Sequence, residues 1–186
     1  MIAKRILCAT ALALLVAASS VPAAAQTPAD KLASRNATRE RLRQLLAASG
    51  PKKGINLTFQ QSTKNPYNFV SIKRDGLTNA DAMEIVIGVS DNDTIGFRIF
   101  PHYKGEYVNV DKAKNGTGLM RKMLNLNDHN FLYWGADDSG DVFASYTFTL
   151  ESGFPDKAME VVLYSIQPLD QYVGEMRPFI DGSSAQ

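Results

Sequence analysis

FLYWGADDSGDVFASYTFTL, residues 131–150, is the stretch that decides the fold. Phe131 to Ala136 is an apolar, aromatic run, and Asp137-Asp138-Ser139-Gly140 a tight turn, because Asp and Ser bond their own backbone and Gly supplies positive φ. From Asp141 to Glu151 the chain alternates. Val142, Ala144, Tyr146, Phe148 and Leu150 fall on one side; Phe143, Ser145, Thr147, Thr149 and Glu151 fall on the other. A period of two with one apolar side marks an antiparallel sheet with a single core face, with Phe148 as a large inward ring.

A long amphipathic helix after the hairpin can cover that face. It opens at Phe154-Pro155-Asp156, with Pro and an acid suited to a first turn. Its stripe is Ala158, Val162, Ile166, Leu169, Val173, Met176 and Ile180, and Pro168 predicts a kink or break within it. Upstream, a helix begins around Asn36, carries Leu42, Leu45 and Leu46, and stops at Gly50-Pro51, where Gly can take a left-handed cap. Strands come next at Leu57–Gln61, Tyr67–Ile72, Ala82–Val89 and Ile95–Ile99, with Arg98 outward and Pro101 ending the last strand or placing it at an edge. Leu119, Met120, Met123 and Leu124 predict a short helix from about Thr117. The expected class is α+β: an antiparallel sheet of about five to six strands with helices packed on it, in the order helix, strands, helix, hairpin, helix.

The N-terminus predicts export. Lys4 and Arg5 precede the apolar run Ile6–Ala18, and Ala23-Ala24-Ala25 offers small residues before Gln26. This is a signal-peptide pattern over residues 1–25, with cleavage after Ala25 and a periplasmic or secreted product. The run is too short for the roughly 20 residues of a membrane span, and no later stretch qualifies. Cys8 is the one cysteine of 186 residues. Its loss with the signal removes thiolate nucleophiles, thiolate metal sites and disulfides. Residues 26–35 are expected to form a mobile start, 36–180 the domain, and 181–186 a frayed tail.

Charge is uneven. Residues 26–53 hold seven bases, among them Arg39 and Arg43, against two acids; residues 54–186 hold 11 bases against 17 acids. Basic residues on a helix are ordinarily a solvated face, and here they are also a candidate contact for an anionic partner. The acidic body argues against nucleic acid.

With these elements assigned, the chain resembles the YbjN family, which shares the α+β fold of type III secretion chaperones. The resemblance covers about Arg39 to Ile180. Its most telling parts are the Leu119–Asn127 helix end, the Phe131–Leu150 hairpin with its Asp-Asp-x-Gly-Asp turn, and the closing helix. It implies a non-enzymatic, protein- or peptide-binding module, chaperone-like or regulatory. The related chaperones bind extended segments of other proteins, often as dimers, in the cytosol.

Candidate chemistry is sparse. Asp137-Asp138-Ser139-Gly140-Asp141 lacks the ligand spacing of an EF-hand and reads as a turn. His102 and His129 stand in no metal spacing with another His. No Gly-x-Ser-x-Gly elbow occurs, and Lys114–Gly118 is not a phosphate loop. No cofactor or metal is expected. The alternative function is an enzyme using Asp137, Asp138 or Asp141 at the hairpin tip. Phe131, Tyr133 and Phe143 alternate opposite the inward set. Either helices cover both faces of the hairpin, or these rings, with Arg39 and Arg43, meet a protein or peptide partner or a second copy as a homodimer.

Overall fold

The computed structural model describes residues 27–150 and 155–183. Helix α1 spans Pro28–Ser49, starting eight residues before Asn36. Its first turn is closed by a capping box: Asp30 N donates to Thr27 Oγ1 at 3.2 Å, and Thr27 N donates back to the Asp30 carboxylate at 3.1 Å. The apolar stripe starts only at Leu42, so burial gives no sign of this earlier half. The cap, good helix formers and two polar anchors hold it instead. Arg35 donates to Val89 O at 2.7 and 3.2 Å, and the Ser34 hydroxyl donates to Asp93. Gly50 ends the helix in right-handed geometry, φ −56°, and not with the expected left-handed cap. A Cβ there would stand 2.5 Å from Leu57 O, so glycine serves close approach.

Seven strands form one antiparallel sheet among the described residues: β1 (Gln60–Gln61), β2 (Asn68–Lys73), β3 (Ala82–Val89), β4 (Thr94–Tyr103), β5 (Glu106–Tyr107), β6 (Tyr133–Ala136) and β7 (Val142–Thr149). The order is β1-β2-β3-β4-β7-β6, with β5 paired to β4. Six of these correspond to predicted strands. The seventh, β5, is two residues returning from the Lys104-Gly105 turn, where both φ are positive. Pro101 does not end β4; it lies beyond Ile99, the last rung with β7, where its missing N–H leaves no gap in that ladder. The hairpin turn forms as expected, with Gly140 at φ 77°.

The core lies on one side of the sheet. Met83, Ile85, Ile87 and Val89 of β3, Ile95, Phe97 and Ile99 of β4, and Val142 and Ala144 of β7 are buried together. Leu42, Leu45 and Leu46 of α1 cover them, with Leu119, Met123 and Leu126 of α2 (Gly116–Asn127). The closing helix completes the layer as two pieces, α3 (Asp156–Tyr164) and α4 (Leu169–Ile180), broken before Pro168 as its missing N–H requires. Met159, not Ala158, begins the buried stripe. Tyr146 and Phe148 are only half-buried at the far end of β7. Four helices and a seven-stranded sheet thus make the described part α+β, and none of its helices is long and apolar enough to cross a membrane.

One buried charge ties the loop before β3 to α4. Asp170 is 7% exposed. Its carboxylate accepts from Thr78 N at 2.9 Å, Thr78 Oγ1 at 2.8 Å, Asn79 N at 3.0 Å and Ala80 N at 2.9 Å. Burial alone would raise its pKa, but these donors together outweigh that and hold it below the ordinary aspartate value.

Phe97→Ala is expected to lower stability by about 3–5 kcal/mol, and Phe148→Ala by clearly less, in urea denaturation. Equal losses would mean the ring at Phe148 is as enclosed as that at Phe97. Asp170 gives a pH signature. Its folded pKa is depressed, so its contribution is complete above the unfolded value and disappears as pH falls through the folded one. Asp170→Asn should therefore destabilise the protein at pH 7 and differ progressively less from wild type below about pH 4. A constant difference down to about pH 2 would show that the charge is not what the donors hold.

Candidate functional site

With every described helix on the core side, the opposite face of the sheet carries the even residues of β2, β3 and β4 and the odd residues of β7. Register aligns them into rows. Asn68, Gly88, Gly96 and Thr147 form one; Val70, Val86, Arg98, Ser145 and Tyr133 form the next. Ile72, Glu84 and Phe100 form a third, with Phe143 opposite Gly135 beyond them.

The third row is filled by rings. Phe143 is 8% exposed yet stands apart from the main core. Its ring centroid is 5.7 Å from Phe100, and the Arg98 guanidinium lies 4.6 Å above it. Phe100 meets Tyr107 edge-on at 6.0 Å, and Tyr107 packs on His102 at 4.3 Å. Tyr107 donates to Glu84 at 2.5 Å; that carboxylate, with burial, pushes the phenol up to about 12. His102 Nε2 sits 3.7 Å from the same Glu84 oxygen.

The first row is open at Gly96. A groove of about 560 Å³ opens over it, bounded by Arg35, Asn68, Asp91, Val86, Arg98 and Phe100. Its floor is the cross-strand pair Gly88 and Gly96. The Asn68 side chain lies over Gly88, whereas a Cβ at Gly96 would meet nothing within 4 Å. At Gly135 the opposite holds: the Phe143 ring covers the glycine, its Cζ 3.1 Å from where a Cβ would stand. Arg35 is neutralised at one end by Asp91. No carboxylate among the described residues pairs with Arg98.

The structure divides the residues that alternation groups. Tyr133, 47% exposed, and Phe143 share the open face. Phe131 does not: it precedes β6, and its ring lies 4.2 Å from Tyr146, a core-side residue. Arg39 and Arg43 are elsewhere, on α1. Arg39 lies 5.4 Å from the Tyr67 ring centroid, and Arg43 grips Glu40, whose carboxyl it and Gln44 hold down at about 2. At the hairpin tip, Asp137 accepts from Ser139 N and Asp141 N, and Asp141 accepts from Asn109. These two carboxylates shape the turn, and no metal-holding group of three His, Cys, Asp or Glu occurs among the described residues. His129 is exposed beside Asp128. Alternation alone does not single out Gly88, Gly96, Glu84, Phe100 and Tyr107. The available signal is glycine inside two otherwise apolar strands, which marks close approach of a ligand or backbone.

Gly96→Val should leave stability unchanged or raise it by up to about 1 kcal/mol, since strand glycine is entropically unfavourable and the space is open. Gly135→Val should lower it by about 1–3 kcal/mol by displacing the Phe143 ring. Thermal denaturation of both variants checks this; equal losses would mean Gly96 is covered too.

Neither a protein-family model nor a curated protein matches this chain.

Proposed function

We propose that the protein is an exported, non-enzymatic module of the YbjN type that binds a polypeptide partner on the open face of its sheet. One observation carries this: a sheet face that none of the described helices covers combines a ring cluster with an uncovered glycine, Gly96, so apolar surface and a recess stand together. Docking there buries the Val86 and Phe100 walls at roughly 25 cal/mol per Å², against the entropy of association. Of the carboxylates of the enzymatic alternative, Asp137 and Asp141 are engaged in the turn and with its neighbour Asn109, and the one carboxylate of the ring cluster, Glu84, already accepts from Tyr107. Export rests on the pattern of residues 1–25, which lie outside the described residues.

Selection of a random peptide library on the mature protein tests the reading. Wild type should enrich binders, and Gly96→Val, equally stable, should lose them. Enrichment that persists on Gly96→Val would place binding away from this face and end the proposal.

A further inference from the structure

We infer that the groove over Gly88 and Gly96 receives an extended segment carrying an aromatic side chain and, two residues away, a carboxylate, the ring lying on Gly96 and the carboxylate meeting Arg98. This rests on the reading of the open face as a polypeptide-binding surface and names the chemistry of its partner.

The aromatic half comes from comparing two glycines of one sheet. At Gly135 the cross-strand neighbour Phe143 lays its ring over the bare backbone. Such a pairing restores the apolar cover that a missing side chain leaves open. At Gly96 the cross-strand neighbours are Gly88 and Thr147, and neither supplies a ring. Val86, Phe100 and Asn68 line the groove around this vacancy and give it a partly apolar wall against which a ring can lie. No described side chain fills it, and a ring supplied by the partner would give Gly96 the cover that Phe143 gives Gly135.

The acidic half comes from charge. Two arginines border the groove. Arg35 is held by Asp91 and by Val89 O. Arg98 is exposed, rests on the Phe143 ring and has no carboxylate partner among the described residues. A guanidinium oriented by a ring beneath it is a preformed receptor for a carboxylate. Gly96 and Arg98 are alternate residues of β4, about 6.8 Å apart at the rise of a strand, and alternate side chains of an extended peptide repeat that spacing. A second copy of this chain is the weaker occupant. Arg98 and Tyr133 share a row whose other members are Val70, Val86 and Ser145, so a second copy meeting this row through its own offers Arg98 no carboxylate.

The test uses the mature full-length protein and four acetylated, amidated hexapeptides read by amide NMR: Gly-Ser-Trp-Ser-Asp-Gly, and versions with Asn or Lys for Asp or Ala for Trp. The Trp/Asp peptide is expected to shift the Gly88 and Gly96 amides. The Asn version should bind roughly tenfold more weakly, the difference expected of one charge-assisted contact. Arg98→Gln should abolish the preference for Asp over Asn, added salt should narrow it, and Gly96→Val should remove the shifts while keeping its melting temperature. Equal binding of the Lys peptide, equal binding of the Ala peptide, shifts that survive Gly96→Val, or no shift at millimolar peptide would each overturn the inference. So would self-association in sedimentation that Gly96→Val abolishes. Library binders that depend on Gly96 but lack an aromatic-x-acidic pattern would overturn it while leaving polypeptide docking standing.

Discussion

Burying Met83, Ile85, Ile87, Ile95, Phe97 and Ile99 under α1, α3 and α4 turns every alternate residue of the same strands toward the other side. A sheet has two faces, and the described helices all lie on one. The exposed face must then be kept from collapsing onto other chains by its own side chains. It does so unevenly. Rings fill the row around Phe100 and Phe143, with Arg98 above and Glu84 beside them, so that part is closed and polar at its rim. The row of Gly88 and Gly96 is closed over Gly88 by Asn68 and left open at Gly96.

The edges of the sheet are better protected than this face. Strand β6 ends the sheet on one side, and an outer edge ordinarily invites another strand. Here the Asn127 side chain at the end of α2 accepts from Trp134 N and donates to Trp134 O at 3.1 Å. Its amide occupies both hydrogen-bonding groups that a docking strand would need at that residue. On the other side β1 is two residues long, too short to template an added strand. Recognition through side chains on the face is therefore favoured over recognition by extending the sheet.

Legibility in the sequence tracks apolar periodicity closely. The strands β3, β4 and β7, the leucines of α1 and the stripe of α3 and α4 repeat at two or at three to four residues, and that repeat marks their buried sides. The first half of α1 is illegible in this way because caps and polar anchors, not an apolar stripe, hold it. Phe131 falls in with Tyr133 only if alternation is extended past the start of β6, where the backbone leaves the strand and the ring turns to Tyr146. The groove is hidden for a different reason. A recess is made by residues without side chains, and which glycine stays uncovered depends on cross-strand register, which fixes Gly135 against Phe143 and Gly96 against Gly88.

Seven bases on a short N-terminal segment look in sequence like a binding patch, yet most are answered within the fold. Arg35 pairs with Asp91, Arg41 with Asp156, Arg43 with Glu40 and Lys52 with Glu160. Arg41 thereby joins α1 to α3, and Lys52 joins the turn after α1 to α3. Such exposed pairs add little stability singly, but each reduces the field that an anionic partner would feel from α1. Arg98 stands in a different setting, on an aromatic ring that positions it and without a counter-ion among the described residues. A partner's carboxylate gains more from one oriented guanidinium beside an apolar recess than from several cations already neutralised on a helix, so Arg98, and not the basic helix, sets the charge preference of the open face.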